Sequence, residues 1–166
     1  AALTEYVNLV GLTVAQFAPK QDVAYRFAIL NSNIINAFAA PGGYIFVTKG
    51  LLSQLKDEAG LACVLGHEIA HVSQRHVVKE IQRSRIAAAV IPGHIKATAE
   101  KAQWMKQVTD LAIQMIWKGL SREDELELDR FGMDYASQAG YDPVAFRDVL
   151  EMLKGKAQGT EPGREV

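Results

Sequence analysis

The sequence has little of what usually assigns a chain quickly. It has a single cysteine, Cys63, in 166 residues, which excludes an intrachain disulfide framework and leaves the redox compartment open. It has no surplus of either charge: 18 Lys and Arg stand against 19 Asp and Glu, for a formal net charge of -1. That balance argues against a basic nucleic-acid groove and against a polybasic membrane patch. It has no long apolar run either. The longest, IAAAVI at residues 86–91, falls far short of the roughly 20 residues needed to cross a bilayer. No signal-type segment opens the chain, which begins at Ala1 rather than methionine. A processed or trimmed form of something longer is therefore expected.

What is present is the balance of an ordinary globular protein, with 49% hydrophobic and 22% charged residues. The length suits one domain with a real core, and no repeat or linker divides it. Residues 4–17 read as a helix, with Val7, Val10, Leu12 and Val14 as its apolar positions. AYRFAIL, NIINAFAA and GYIFVT are short runs rich in aromatic and β-branched residues, separated by NS and PGG. They predict two or three antiparallel strands, with a tight turn at Pro41-Gly42-Gly43. Helices follow. Asp57 can cap one that runs through GHEIAHVSQRH to about Ile91, where Pro92-Gly93 stops it. A second is expected over residues 97–119, and a third over 121–139 with Ser121 as N-cap and Asp124 three residues on. A last one runs from Asp142-Pro143 to about Lys154, before a polar tail.

The chemistry starts at His67, Glu68 and His71. On a helix the two histidines project about 40° apart, so both imidazoles can reach one cation. Glu68 lies between them, turned aside, where it can bond a water on that cation. Zinc held this way lowers the pKa of water to roughly 7, and a neighbouring carboxylate can take the proton. The bare string is common by chance. Here, however, Leu61, Leu65, Ile69 and Val72 lie opposite the histidines, and Ala59, Ala62 and Ala70 widen the apolar surface. So apolar a helix is buried, and its histidines need polar partners, which a metal supplies.

A third protein ligand is wanted. His76 projects about 180° from His67 on a continuous helix. The metzincin turn that would redirect the chain has Gln74 and Val77 in place of its glycine and histidine. His76 thus reads as a surface or hydrogen-bonded residue. Cys63 shares the histidine face, but three ligands one turn apart span about 12 Å, so it reads as a small core residue. His94 reads as a surface loop residue. The carboxylates of SREDELELDRFGMDYA divide by direction: Glu125 and Asp129 share a face with Ser121, Gly132 and Ala136, whereas Glu123, Glu127, Arg130 and Asp134 lie opposite, toward solvent. Glycine and alanine beside the first pair admit a close neighbouring helix. Glu125 can then serve the metal, and Asp129 can orient a ligand histidine.

INAFAAPGGYIFVTKGLL, HEIAH and SREDELELDRFG together resemble metallopeptidase family forty-eight, and within it the soluble, periplasmic BepA-like branch. The resemblance covers about residues 6–153. It implies an α+β, mainly helical, gluzincin-type zinc metallopeptidase fold with a small antiparallel sheet, as a single catalytic domain over residues 1–166. It also implies one zinc per chain on His67, His71 and Glu125, with Glu68 as general base and Asp129 behind a ligand histidine. The strand before PGG, Asn36, Ala37, Phe38 and Ala39, resembles the edge strand that pairs with substrate backbone in such enzymes. Relatives usually continue into a His-Pro pair and an arginine near the cleft, which this chain does not contain, so the C-terminal part of the family domain is expected to be missing.

The expected function is that of a zinc-dependent endopeptidase of unfolded or extended polypeptides, in extracytoplasmic quality control. The resemblance places it in the periplasm or another extracytoplasmic space, with peripheral or outer-membrane association open and no nucleic-acid partner. The alternative is a non-catalytic, zinc-stabilised peptide-binding module, a pseudo-protease. The intact Glu68 weighs against it.

Overall fold

The computed structural model describes residues 2–19, 22–40, 42–75 and 121–157. Helix α1 (Ala2–Ala15) buries Val7, Val10, Gly11 and Val14, a row at the spacing of one helical face. That face lies on β1 (Arg26–Leu30), and a Cβ added at Gly11 would stand 2.5 Å from the Phe27 ring. Asn8 fastens the two elements: its side-chain amide donates to Phe27 O at 2.8 Å and accepts from Phe27 N at 3.3 Å.

The strands β2 (Ala37–Ala40) and β3 (Tyr44–Thr48) form an antiparallel pair, closed by Gly42 and Gly43 at φ 89° and 83°. Only glycine adopts such angles without strain. The expectation of an all-antiparallel sheet is not met. The order is β1-β3-β2, and β1 runs parallel to β3. The cause lies in residues 31–36, which cross beyond the end of β3 and deliver β2 to its far side. Ser32 O accepts from Gly50 N at 2.9 Å, and a Cβ at Gly50 would collide with the carbonyls of Asn33 and Ile34. The Thr48 hydroxyl donates to Ile34 O at 2.5 Å and accepts from Asn36 N at 3.1 Å and Leu51 N at 3.2 Å. It thereby holds the crossing and caps the short α2 (Lys49–Leu52).

Helix α3 (Glu58–Ser73) is capped by Asp57, whose Oδ1 accepts from Gly60 N at 2.8 Å. It is central: α1, β2, β3, α4 (Arg122–Gln138) and α5 (Ala145–Ala157) all pack on it. Leu61, Leu65, Ile69, Ala62 and Ala70 are buried, as their face predicts. The helix does not run on to Ile91. It ends at Ser73, with Gln74 as C-cap and Arg75 in the left-handed region at φ 53°. Without a glycine or proline, the local sequence does not announce that stop. The expected helix over 97–119, His76 and His94 lie outside the described residues.

Ser121 caps α4 as expected, accepting from Asp124 N at 3.1 Å. Gly140, at φ 92°, turns the chain, and Asp142 Oδ1 accepts from Val144 N ahead of α5. The α3–α4 crossing is closest at two glycines. A Cβ on Gly66 would collide with Gly132 O, and one on Gly132 would lie 2.5 Å from His67 N and 2.7 Å from its Cα. Among the described residues no helix is long and apolar enough to cross a membrane.

Gly132→Ala should therefore destabilise the fold by about 1–3 kcal/mol through overpacking, despite alanine's better helix propensity. Gly155, also in a helix, has nothing within 4 Å of an added Cβ, and Gly155→Ala should raise stability by up to about 1 kcal/mol. Thermal denaturation of both variants checks this; equal gains in both would contradict the close crossing.

Candidate metal centre

The crossing brings α4 to the histidines of α3. Glu125 Oε2 lies 3.4 Å from His67 Nε2 and 3.9 Å from His71 Nε2. The two Nε2 atoms are 3.2 Å apart. Donors bound tetrahedrally about 2.0–2.1 Å from a zinc-sized ion stand about 3.3 Å from one another. Two edges of the observed triangle, 3.2 and 3.4 Å, have that length, and the third, from His71 to Glu125, is longer at 3.9 Å. Among the described residues, this is the group of His, Cys, Asp and Glu side chains that could hold a metal ion.

The other imidazole nitrogen of His67, Nδ1, is 2.8 Å from Asp129 Oδ1. The approach is short but oblique to the ring N–H direction. A carboxylate there favours the proton on Nδ1 and leaves the Nε2 lone pair toward Glu125 and His71. Burial alone would lower the pKa of His67, but Asp129 and Glu125 outweigh it and push it up to about 10. The Phe146 ring stacks on this imidazole, centroids 6.2 Å apart.

Glu68 is 7% exposed. Burial, reinforced by the charge of Glu125, raises its carboxyl to about 7, while His67 and a hydrogen bond from the Ala39 backbone act against the rise. The carboxyl thus exchanges a proton near neutrality, in reach of both the triangle and β2. His67, Glu68, Glu125 and Asp129 form one wall of a cleft of about 320 Å³, and Asn36 and Ala37 contribute to another. Of the other residues expected near substrate, Ala39 faces α3 through that backbone bond. Phe38 instead stacks on Phe46, centroids 5.2 Å apart.

Glu123, Glu127, Arg130 and Asp134 are exposed, as their direction on the helix predicts. Cys63 is buried away from the triangle, with its thiol pushed up to about 11 by burial. For His76 the argument from a continuous helix lapses, since α3 ends at Ser73. Sequence reasoning missed the apolar wall that α5 supplies. Its signal was available in the spacing of Phe146, Val149, Leu150 and Leu153, one apolar row of a helix.

Comparison with known proteins agrees with this geometry. The family described as "Peptidase family M48" matches residues 1–163. The chain is 28% identical to the beta-barrel assembly-enhancing protease of Escherichia coli K12, over 99% of this chain and 35% of that protein. It is 30% identical to the mitochondrial metalloendopeptidase OMA1 of Schizosaccharomyces pombe, over 90% of this chain and 44% of the relative. With the metalloprotease LoiP of Escherichia coli K12 it shares 29% identity, over 85% and 55% of the two chains. The chain thus spans about a third of the assembly-enhancing protease it matches.

Zinc titration should separate the acids of α4. Glu125→Ala should lose tight binding, Asp129→Ala should weaken it about 10–100-fold, and the exposed Glu127→Ala should bind one zinc like the parent. Parent-like binding by Glu125→Ala would remove it from the triangle.

Binding should also depend on pH in a definite direction. In the metal-free protein, the raised pKa of His67 adds stability that is complete below about 6.5 and lost as pH climbs through about 10. A metal must displace that proton. Apparent zinc affinity should then rise about tenfold per pH unit between pH 6 and 8 for each proton released. A flat profile in titrations at several pH values would contradict proton displacement.

Proposed function

The chain belongs to peptidase family M48, and from that premise we propose that it is a zinc-dependent endopeptidase acting on unfolded or extended polypeptides. The family implies a catalytic metal. The observation that carries the choice of zinc is the triangle of His67 Nε2, His71 Nε2 and Glu125 Oε2, two imidazole nitrogens and a carboxylate oxygen at zinc spacing. We assign one zinc per chain to these residues. Bound there, zinc would polarise the scissile carbonyl and acidify water.

The chain's own residues do the rest. Asp129 holds His67 in the tautomer that presents Nε2. Glu68, with its carboxyl raised to about 7, takes a proton from the attacking water and returns it to the leaving amine, a role that works best near the operating pH. Among the described residues β2 is an edge of the sheet. Residues Asn36, Ala37, Phe38 and Ala39 are proposed to pair with an extended substrate, aligning its backbone along the cleft. Pairing of this kind reads backbone first, which suits unfolded chains.

The name of the Escherichia coli relative supports a place in envelope protein quality control. A periplasmic location, contact with the outer membrane and a catalytic domain that continues past this chain belong to the same proposal.

Glu68→Gln should bind zinc as the parent does and lose at least about 100-fold in turnover of an unfolded protein such as casein. The parent's activity should vanish with chelator and return with zinc. Loss of metal by Glu68→Gln, or near-parent turnover, would overturn the assignment. A parent that binds zinc and peptide but cleaves nothing would be the non-catalytic binding module instead.

A further inference from the structure

Resting on the assignment of zinc to His67, we infer that Phe146 is a positioning residue for the metal centre. Its ring holds the plane of the His67 imidazole, which Asp129 alone does not fix. The torsion that turns an imidazole about its Cβ–Cγ bond is broad. A metal ligand needs that torsion narrowed, because the nitrogen lone pair lies in the ring plane and must aim at the ion.

Three neighbours bear on the orientation of this ring. Asp129 Oδ1 is close to Nδ1 at 2.8 Å, but it stands oblique to the N–H direction. A carboxylate so placed selects the tautomer and tolerates a turn of the ring. His71 meets the imidazole edge-on, with centroids 4.9 Å apart and planes at 71°. It is itself a ligand, and its own ring has the same freedom to turn. Phe146 is the third. Its ring stacks on the imidazole with centroids 6.2 Å apart and planes 29° from parallel, inside the range of favourable aromatic pairs. A flat neighbour opposes rotation directly, since turning the imidazole swings an edge toward the phenyl face.

That restraint is as firm as the support behind Phe146. The side chain is 5% exposed and sits in the first turn of α5. The chain around it is pinned to α3 and its approach at three points. Tyr141 Oη donates to Glu58 Oε1 at 2.9 Å, the Cys63 thiol faces Asp142 O at 3.9 Å, and Lys56 Nζ pairs with Asp148 Oδ2 at 3.0 Å. The Phe146 N–H donates to Pro143 O at 3.1 Å and also reaches the Cys63 sulfur. Cys63 stands one helical turn before His67 on α3. The buried thiol thus underlies the turn that brings an aromatic ring to the metal ligand.

The test reads metal binding and not turnover, because Phe146 also lines the cleft. Zinc affinity is measured by chelator competition, with thermal melting of the metal-free chain as the check on folding. Phe146→Leu keeps apolar bulk and removes the flat face; it should weaken zinc binding about 3–12-fold, the worth of an aromatic pair. Phe146→Met carries the same expectation should Phe146→Leu not fold. Phe146→Tyr, which keeps the ring, should bind zinc like the parent. Cobalt(II) in Phe146→Leu should give broader ligand-field bands than in the parent, as a less restrained ring samples more orientations. Met152→Ala is the control. Met152 packs on the core from α5 without lining the metal-site cleft, so its loss should cost stability and leave zinc affinity unchanged. In an Asp129→Ala background the factor for Phe146→Leu should change by at least about twofold, because both residues act on one ring. The inference is overturned if folded Phe146→Leu and Phe146→Met bind zinc like the parent, or if Met152→Ala weakens binding as much. It is equally overturned if the Phe146→Leu factor is the same with and without Asp129. A parent that binds zinc tightly yet cleaves nothing removes the endopeptidase reading alone and leaves the positioning role standing. A parent that takes up no zinc overturns both.

Discussion

Two helices touch through bare backbone at Gly66 and Gly132, and the metal centre follows from that contact. Gly66 immediately precedes His67, so whatever meets Gly66 is also beside the first histidine. On α4, Glu125, Asp129, Gly132 and Ala136 share one stripe. When Gly132 sits against Gly66, the two acids are carried past the histidine in order. The nearer one, Asp129, has the shorter side chain and reaches Nδ1 at 2.8 Å. The farther one, Glu125, is a methylene longer and reaches the Nε2 side. A Cβ at either glycine would lengthen both reaches together, because it would lift one helix off the other.

The same contact creates an electrostatic problem. Three carboxylates, Glu68, Glu125 and Asp129, are gathered around two imidazoles on a helix whose other face is mainly apolar. Protons offset part of that negative charge: Asp129 and Glu125 outweigh burial and hold His67 up to about 10, while burial, helped by Glu125, holds Glu68 up to about 7. Buried charge of this kind stabilises a fold poorly compared with an apolar core of similar volume. A cation held there, as proposed, would supply the missing positive charge and leave Glu68 for the proton transfer proposed for it.

Most of this was legible in the sequence because helical periodicity converts spacing into direction. That conversion sorted Glu125 and Asp129 from Glu123 and Glu127, put Leu61, Leu65 and Ile69 in the core, and identified Gly132 as a place for close approach. The caps at Asp57 and Ser121 were equally readable, since short oxygen-bearing side chains ahead of a helix have one common use. Three features were not readable. The parallel pairing of β1 with β3 depends on a crossing held by Gly50 and Thr48, which local alternation cannot reveal. The end of α3 rests on Arg75 in a left-handed conformation that its residue type does not advertise. The wall from α5 had a visible apolar row, but periodicity says that a face is buried and not what it is buried against.

The sheet contributes more than an edge. Ala37 and Ala39 are alternate residues on the β2 face toward α3, and both are small; Phe38, between them, points to the other face and stacks on Phe46. Reversing that pattern would fill the space between strand and helix and leave no cleft. Ala39 also donates its backbone N–H to Glu68, so the strand proposed to align the substrate is bonded to the carboxylate proposed to move the proton. Displacing β2 would therefore break that bond and move the substrate relative to Glu68 and the histidines together, since all three side chains are fixed on α3. The Thr48 hydroxyl, buried at the crossing and bonded to Ile34, Asn36 and Leu51, fixes the entry of β2 and resists that displacement. A polar side chain remote from the metal triangle thus belongs to the geometry of the site as much as the helix crossing does.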